Sequence, residues 1–159
     1  MEQDEKSREL EKYRDLVLAV LDYDCHKLQQ AAAEGYPNFR TDHAERLKVE
    51  TRKAFEKQQL SKLKQWFRDL TEGAIETRDF AITAYLKEAT GYEIDIFAKY
   101  FARIDAILTR RKITTDNQFY DASMLVDHLC QSDPVDEEKI DRLNRLIGAY
   151  EDRNSDGPR

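Results

Sequence analysis

Apolar residues recur every three or four positions along most of this chain, and glycine and proline fall almost entirely between the periodic stretches. This spacing is typical of amphipathic helices, and the scarce breakers mark helix ends. The periodic stretches run from about Lys6 to Glu34, from Thr41 or Asp42 to Leu70, around Thr77 to Ala89, from Ile94 to Leu108, from about Asp116 to Cys130, and from Asp136 to Tyr150. We therefore predict an all-α fold, a single-domain bundle of about six helices over residues 1–150, with a frayed polar tail over residues 151–159.

Glycine and proline place the ends of the helices in the first half of the chain. Gly35 and the following Tyr36-Pro37 step end the first helix, because a residue before proline is pushed out of α geometry. Gly73 predicts a break or kink, and Gly91 closes the short helix that follows it. No glycine or proline lies between Asp42 and Leu70, so we predict one long helix over this stretch.

Capping residues and a short turn define the last two helices. Thr115 predicts an N-cap, with Gln118 at the reciprocal position of a capping box. Ser132 to Pro134 form the next turn, which is short enough to join two antiparallel helices. The sequence therefore predicts a helical hairpin at the C-terminal end.

Composition points to a folded protein of the cytoplasm. Eight Tyr, seven Phe and one Trp argue against disorder, which is poor in aromatic residues. The acidic N-terminus lacks the apolar run of a secretory signal, and no stretch approaches the length that spans a bilayer. Cys25 and Cys130 are far apart and form no CxxC pair, so we expect two reduced, buried thiols and a cytoplasmic location.

Charge is divided unevenly along the chain, whose net charge is −6. Residues 113–159 hold 5 basic and 11 acidic side chains, a net charge of −6, whereas residues 35–70 hold 9 basic and 5 acidic ones, a net charge of +4. The plain interpretation is that oppositely charged helices pack together and the protein stays dissolved. The sharper one is that the C-terminal hairpin is an acidic docking surface for a basic protein partner. Its candidate contacts are the carboxylates of Asp116, Asp121, Asp127, Asp133, Asp136, Glu137, Glu138 and Asp141, with Phe119 and Tyr120 as aromatic anchors.

The basic stretch over residues 46–68 suggests a different partner. Its cations are Arg46, Lys48, Arg52, Lys53, Lys57, Lys62, Lys64 and Arg68. Cations interleaved with Trp66 and Phe67 can bind nucleic acid through phosphate contacts and base stacking. Both aromatic residues share helical spacing with Leu63 and Leu70, however, which favours a core position, and the sequence pI of about 5.2 argues against a nucleic-acid binder.

Catalytic and metal-binding signals are weak. The three histidines form no HExxH motif, and no GxSxG, Walker or GxGxxG sequence is present. We therefore expect no metal, no cofactor and no enzymatic activity. Asp24 and Asp105 fall on or beside apolar faces, where a carboxylate must be paired or exposed. With His26 they support the alternative of a small helical enzyme or ligand-binding bundle, and leftover apolar faces allow a homodimer.

The last 45 or so residues carry one resemblance. The motifs are Arg110-Arg111-Lys112-Ile113, Asn117-Gln118-Phe119-Tyr120, Leu143-Asn144-Arg145-Leu146-Ile147 and Tyr150-Glu151. This pattern resembles a C-terminal helical hairpin of small bacterial proteins, some of which look like immunity partners of secreted toxins. The resemblance implies a non-enzymatic inhibitor that occludes a basic enzyme. It transfers no individual contact residue, because the matching positions are mostly packing and capping residues.

Overall fold

The predicted N-terminal helix contacts every other helix of the first half of the chain. In the computed structural model, which describes residues 1–35 and 42–155, α1 spans Glu2–Ala33. It contacts α2 (Asp42–Glu56), α3 (Leu60–Glu76) and α4 (Ala81–Thr90). Its apolar side is buried from Leu10 to Cys25, as the three-four spacing predicts. The predicted turn at Tyr36-Pro37 lies outside the described residues.

Three helices make up the second half of the described chain. They are α5 (Ala98–Arg110), α6 (Asp116–Cys130) and α7 (Glu137–Ser155). Helix α6 contacts both α5 and α7, and the ring of Phe119, near the start of α6, lies against the ring of Tyr150, near the end of α7. The predicted antiparallel hairpin is therefore confirmed. Its core includes the fully buried Ile113, Leu125 and Leu143.

The all-α prediction is confirmed, with seven helices and no strand among the described residues. The helices fall into two compact units, Met1–Ile96 and Phe97–Arg159. The predicted single domain over residues 1–150 stays a prediction. Helix α7 continues to Ser155, so five residues of the expected frayed tail are helical, and the rest of that tail lies outside the described residues.

The extra helix arises because the predicted long helix from Asp42 to Leu70 is wrong. Its break lies at Gln58, which adopts a left-handed conformation with φ of 55°. The amide of Gln59 donates to the carbonyl of Ala54, and the amide of Gln58 donates to that of Phe55. These two bonds are the pattern of a Schellman cap, which ends α2.

The predicted break at Gly73 is also wrong, because Gly73 lies inside α3. The break comes a few residues later, through the same type of cap. Arg78 is left-handed with φ of 54°, and the amide of Asp79 donates to the carbonyl of Ala74. Gly91, with φ of 79°, ends α4 as predicted. Helix α5 begins at Ala98 instead of Ile94.

Candidate functional site

The start of α6 is held by two side-chain caps. The hydroxyl of Thr115 accepts a hydrogen bond from the amide of Gln118 at 3.2 Å, as the capping box predicts. The reciprocal bond is displaced by one residue, because the amide oxygen of Gln118 accepts from the backbone of Thr114 at 2.8 Å. These bonds fix the first turn of α6, so Asp116 is held at the surface beside the end of α7.

Three aromatic rings and a carboxylate meet at this point. Phe119 lies between Tyr120 and Tyr150, with ring centroids 5.7 and 5.4 Å away. The hydroxyl of Tyr150 donates a hydrogen bond to Asp116, and this bond to a carboxylate raises the pKa of the Tyr150 hydroxyl. A shallow surface groove of about 400 Å³ runs past these residues and Glu151. We call it the aromatic groove. It is lined by Asp116, Phe119, Tyr120, Tyr150, Glu151 and Asn154.

The outer face of α6 continues the exposed surface away from the groove. Tyr120 is 58% exposed and Met124 is 38% exposed, and both are among the exposed large apolar side chains of the described residues. They are four residues apart, so they lie on one face, with the exposed carboxylates of Asp116 and Asp127 at its two ends. We call these four residues the α6 stripe. It combines apolar contact area with two negative charges.

Asp121 does not belong to the acidic face. It is only 2% exposed, and its carboxylate accepts a hydrogen bond from the guanidinium of Arg103 on α5 at 3.0 Å. The hydroxyl of Tyr100 donates to the backbone carbonyl of the same residue. The prediction that Asp121 contacts a partner is therefore wrong, because helical phase turns its side chain toward α5.

The predicted acidic residues of α7 are exposed, but their charge is partly balanced. Asp136, Glu137, Glu138 and Asp141 are all exposed, as is Asp133 in the preceding turn. Asp136 caps α7, since its carboxylate accepts from the amide of Lys139 at 3.1 Å. Arg142 and Arg145 follow Glu138 and Asp141 by four residues, the spacing of neighbours on a helix surface. Neighbouring basic side chains therefore offset less of the negative charge on the α6 stripe than on α7.

A second polar cluster joins α1 to the turn before α4. The carboxylate of Asp79 accepts hydrogen bonds from the hydroxyl of Tyr23, at 2.8 Å, and from the ammonium group of Lys27. Burial and the neighbouring Asp79 carboxylate raise the pKa of Tyr23. The charges of this cluster are therefore paired with one another within the unit. We interpret the cluster as structural, because it connects α1 to the turn before α4.

The three residues of the alternative enzyme or ligand-binding interpretation do not converge. Asp24 is half-buried, whereas His26 and Asp105 are exposed, and Asp105 lies on α5 in the other unit. The ring of His26 contacts that of Tyr85 edge-on, 6.1 Å away. Asp105 is exposed, which is one of the two outcomes expected for a carboxylate beside an apolar face, and the buried side of α5 carries Tyr100 and Ile104.

Asp24 predicts a pH effect on stability. Burial raises the pKa of its carboxyl, with a further rise from the Asp79 charge that Lys27 opposes. A carboxyl with a raised folded-state pKa stabilises the fold below its unfolded pKa and loses that contribution as pH rises through the folded one. We therefore expect Asp24→Asn to raise the melting temperature at pH 7 and to leave it unchanged near pH 3. Thermal denaturation followed by circular dichroism at both pH values measures this, with the exposed Asp105→Asn as control. An unchanged melting temperature at pH 7 would contradict it.

The predicted basic helix over residues 46–68 is divided between α2 and α3, and several of its cations are paired. Lys48 forms ion pairs with Asp22 and Glu45, and Lys64 lies 3.5 Å from Glu9. Trp66 is partly buried against the core cluster of Leu10, Ala54 and Leu63. These contacts weaken the case for a continuous nucleic-acid surface.

Other predicted features have mixed outcomes. Both cysteines are free, but only Cys25 is buried, where desolvation raises its thiol pKa, whereas Cys130 is exposed. Across residues 1–35 and 42–155, no set of three or more His, Cys, Asp or Glu side chains is placed to hold a metal ion. Within the same ranges, no helix has both the length and the apolar character needed to cross a bilayer.

Comparison with known proteins adds no relative: no protein family model, curated protein or solved structure matches the chain. The resemblance to immunity-type hairpins therefore stays a prediction.

Sequence reasoning missed part of this surface. Met124, Tyr150 and Glu151 were not among the predicted contacts, and neither was Val135, which is 46% exposed in the turn before α7. The signal for Met124 was present, since it lies four residues after Tyr120 and three before Asp127. The groove itself needed the packing of α7 against α6, which spacing within one helix does not specify.

Proposed function

We propose that this chain is a non-enzymatic binding protein that docks a basic protein through the α6 stripe and the adjoining aromatic groove. The observation that carries the proposal is the exposed pair Tyr120 and Met124, set between the carboxylates of Asp116 and Asp127. Apolar area of this kind on an exposed helix face is typical of an interaction site when charged groups surround it.

Charge supports a basic partner. The C-terminal segment over residues 113–159 has a net charge of −6. Opposite potentials speed encounter and exclude partners of like charge, and their effect falls as salt rises. Aromatic and methionine side chains are enriched at the centres of protein interfaces, where they supply contact energy that salt does not screen.

The resemblance of the hairpin to immunity-type proteins leads us to propose the kind of partner. It is an enzyme with a basic substrate site, such as one that acts on nucleic acid. On this proposal the chain inhibits by covering that site, and the carboxylates take the place that phosphates would occupy.

The test begins with capture of partners from the native host and continues with affinity measurements on the purified pair. We expect the affinity to fall between about 0.05 M and 0.5 M salt, because exposed charges are screened over this range. Asp116→Asn with Asp127→Asn should lower the affinity at low salt about tenfold and flatten the salt dependence. Tyr120→Ala with Met124→Ala should lower it about tenfold at every salt concentration.

Asp69→Asn and Asp105→Asn are matched controls, since each removes one exposed negative charge away from the stripe. We expect each to change the affinity less than about twofold. A captured protein alone does not support the proposal. An affinity that is insensitive to salt and to all four stripe substitutions would refute it.

A further inference from the structure

The aromatic groove has the composition of a site for a planar cation. Its rings belong to Phe119, Tyr120 and Tyr150, and its carboxylates belong to Asp116 and Glu151. Aromatic faces attract cations, and a nearby carboxylate holds the cation's N–H groups by charge-assisted hydrogen bonds. Both elements occur here within one concave surface of the second unit.

We propose that this groove receives an arginine side chain of the basic partner. The inference rests on the proposed function and specifies which partner group enters the groove. Arginine suits it better than lysine, because a flat guanidinium stacks on a ring while its N–H groups donate in the plane to a carboxylate. A lysine ammonium is a more strongly hydrated point charge and has no flat face to stack.

Two contacts within the chain define which groove atoms a guanidinium can use. The guanidinium carbon of Arg153 already lies 5.9 Å from the centroid of the Tyr150 ring, while its nitrogen donates to the carbonyl of Ile113 at 2.7 Å. The Tyr150 ring therefore already lies beside a cation, and the contacts we propose for an incoming guanidinium are the rings of Phe119 and Tyr120 with the carboxylates of Asp116 and Glu151. In addition, a carboxylate has about four acceptor sites, and the Tyr150 hydroxyl engages one of those of Asp116.

The exposure of the rings makes the site reachable. Tyr120 is 58% exposed and Glu151 is exposed, so an incoming side chain meets them without any helix moving. The groove volume of about 400 Å³ falls within the range of small-ligand sites. Its shallow form suits one side chain presented from a protein surface.

The experiment is a titration of the full-length, ¹⁵N-labelled protein with a blocked Gly-Arg-Gly peptide, followed by nuclear magnetic resonance. We expect chemical-shift changes centred on Phe119, Tyr120 and Tyr150, with a roughly millimolar Kd for so small a probe. The matched Gly-Lys-Gly peptide should bind about two- to fivefold more weakly. Tyr120→Ala and Asp116→Asn should each weaken binding of the arginine peptide by a similar factor.

Asp105→Asn is the control, because its carboxylate is exposed in the same unit but lies outside the groove. Shifts that are absent at the groove, or equal for the arginine and lysine peptides, would overturn the arginine site. If the peptide titrations give either of these results while the affinity for the partner still depends on the α6 stripe, only the arginine site is wrong. If the arginine peptide binds but the partner ignores the stripe, the proposed function is the part that fails.

Discussion

Replacing Leu63 with alanine is expected to lower the free energy of unfolding by about 3 kcal/mol, the usual cost of deleting a fully buried leucine side chain. Leu63 is fully buried on α3 and packs in a cluster with Leu10 of α1 and Ala54 of α2. One substitution therefore removes contacts that join three helices. Urea denaturation followed by circular dichroism measures the change, provided that the m-value is the same for both proteins.

Leu60→Ala is the matched control, since Leu60 lies one turn earlier on α3 and is only partly buried against the same cluster. We expect Leu60→Ala to lower the free energy of unfolding by about 1 kcal/mol, because folding buries less apolar area of the Leu60 side chain than of the Leu63 side chain. A loss at Leu63 no larger than that at Leu60 would contradict the packing of α3 against α1 and α2.

Hydrophobic spacing was enough to predict the helical character of the chain, and capping chemistry was enough to place α6 from Asp116 to Cys130. The two wrong breaks have one cause. The caps that follow α2 and α3 contain Gln58 and Arg78, which adopt left-handed φ angles that glycine usually supplies. Gly73, the expected breaker, is tolerated inside α3. Glutamine and arginine are not residues that usually mark a left-handed position, so local propensity does not place these ends.

The candidate site shows a similar division between local and tertiary information. Charge counting identified the acidic hairpin, and helical spacing placed Tyr120 beside acidic residues. Counting acidic residues did not separate Asp121 from Asp127, although they lie on different sides of α6: Asp121 is buried against Arg103 and Asp127 is exposed. That difference is set by which side of α6 faces α5, a tertiary contact that the sequence pattern left open.

Asp121→Ala is therefore expected to destabilise the protein by about 2 kcal/mol, whereas Asp127→Ala should change stability by less than about 0.5 kcal/mol. The Asp121 carboxylate is buried and accepts from the guanidinium of Arg103 across the α5–α6 contact. Alanine removes a charge-assisted hydrogen bond and leaves a small cavity. Arg103 is half-exposed, so water solvates its freed N–H groups and keeps the cost below that of a fully buried pair.

The same two variants separate a structural carboxylate from a recognition carboxylate. We expect Asp127→Ala to weaken binding of the basic partner while Asp121→Ala leaves the affinity of the folded protein unchanged, with the folded fraction measured under the binding conditions. Arg103→Met gives an independent check on the pair, because it leaves the Asp121 carboxylate in place but removes its cation, and it should destabilise by a similar amount. If Asp121→Ala unfolded no more readily than Asp127→Ala, and weakened partner binding as much, the division of the acidic residues between the buried side and the exposed stripe of α6 would be wrong.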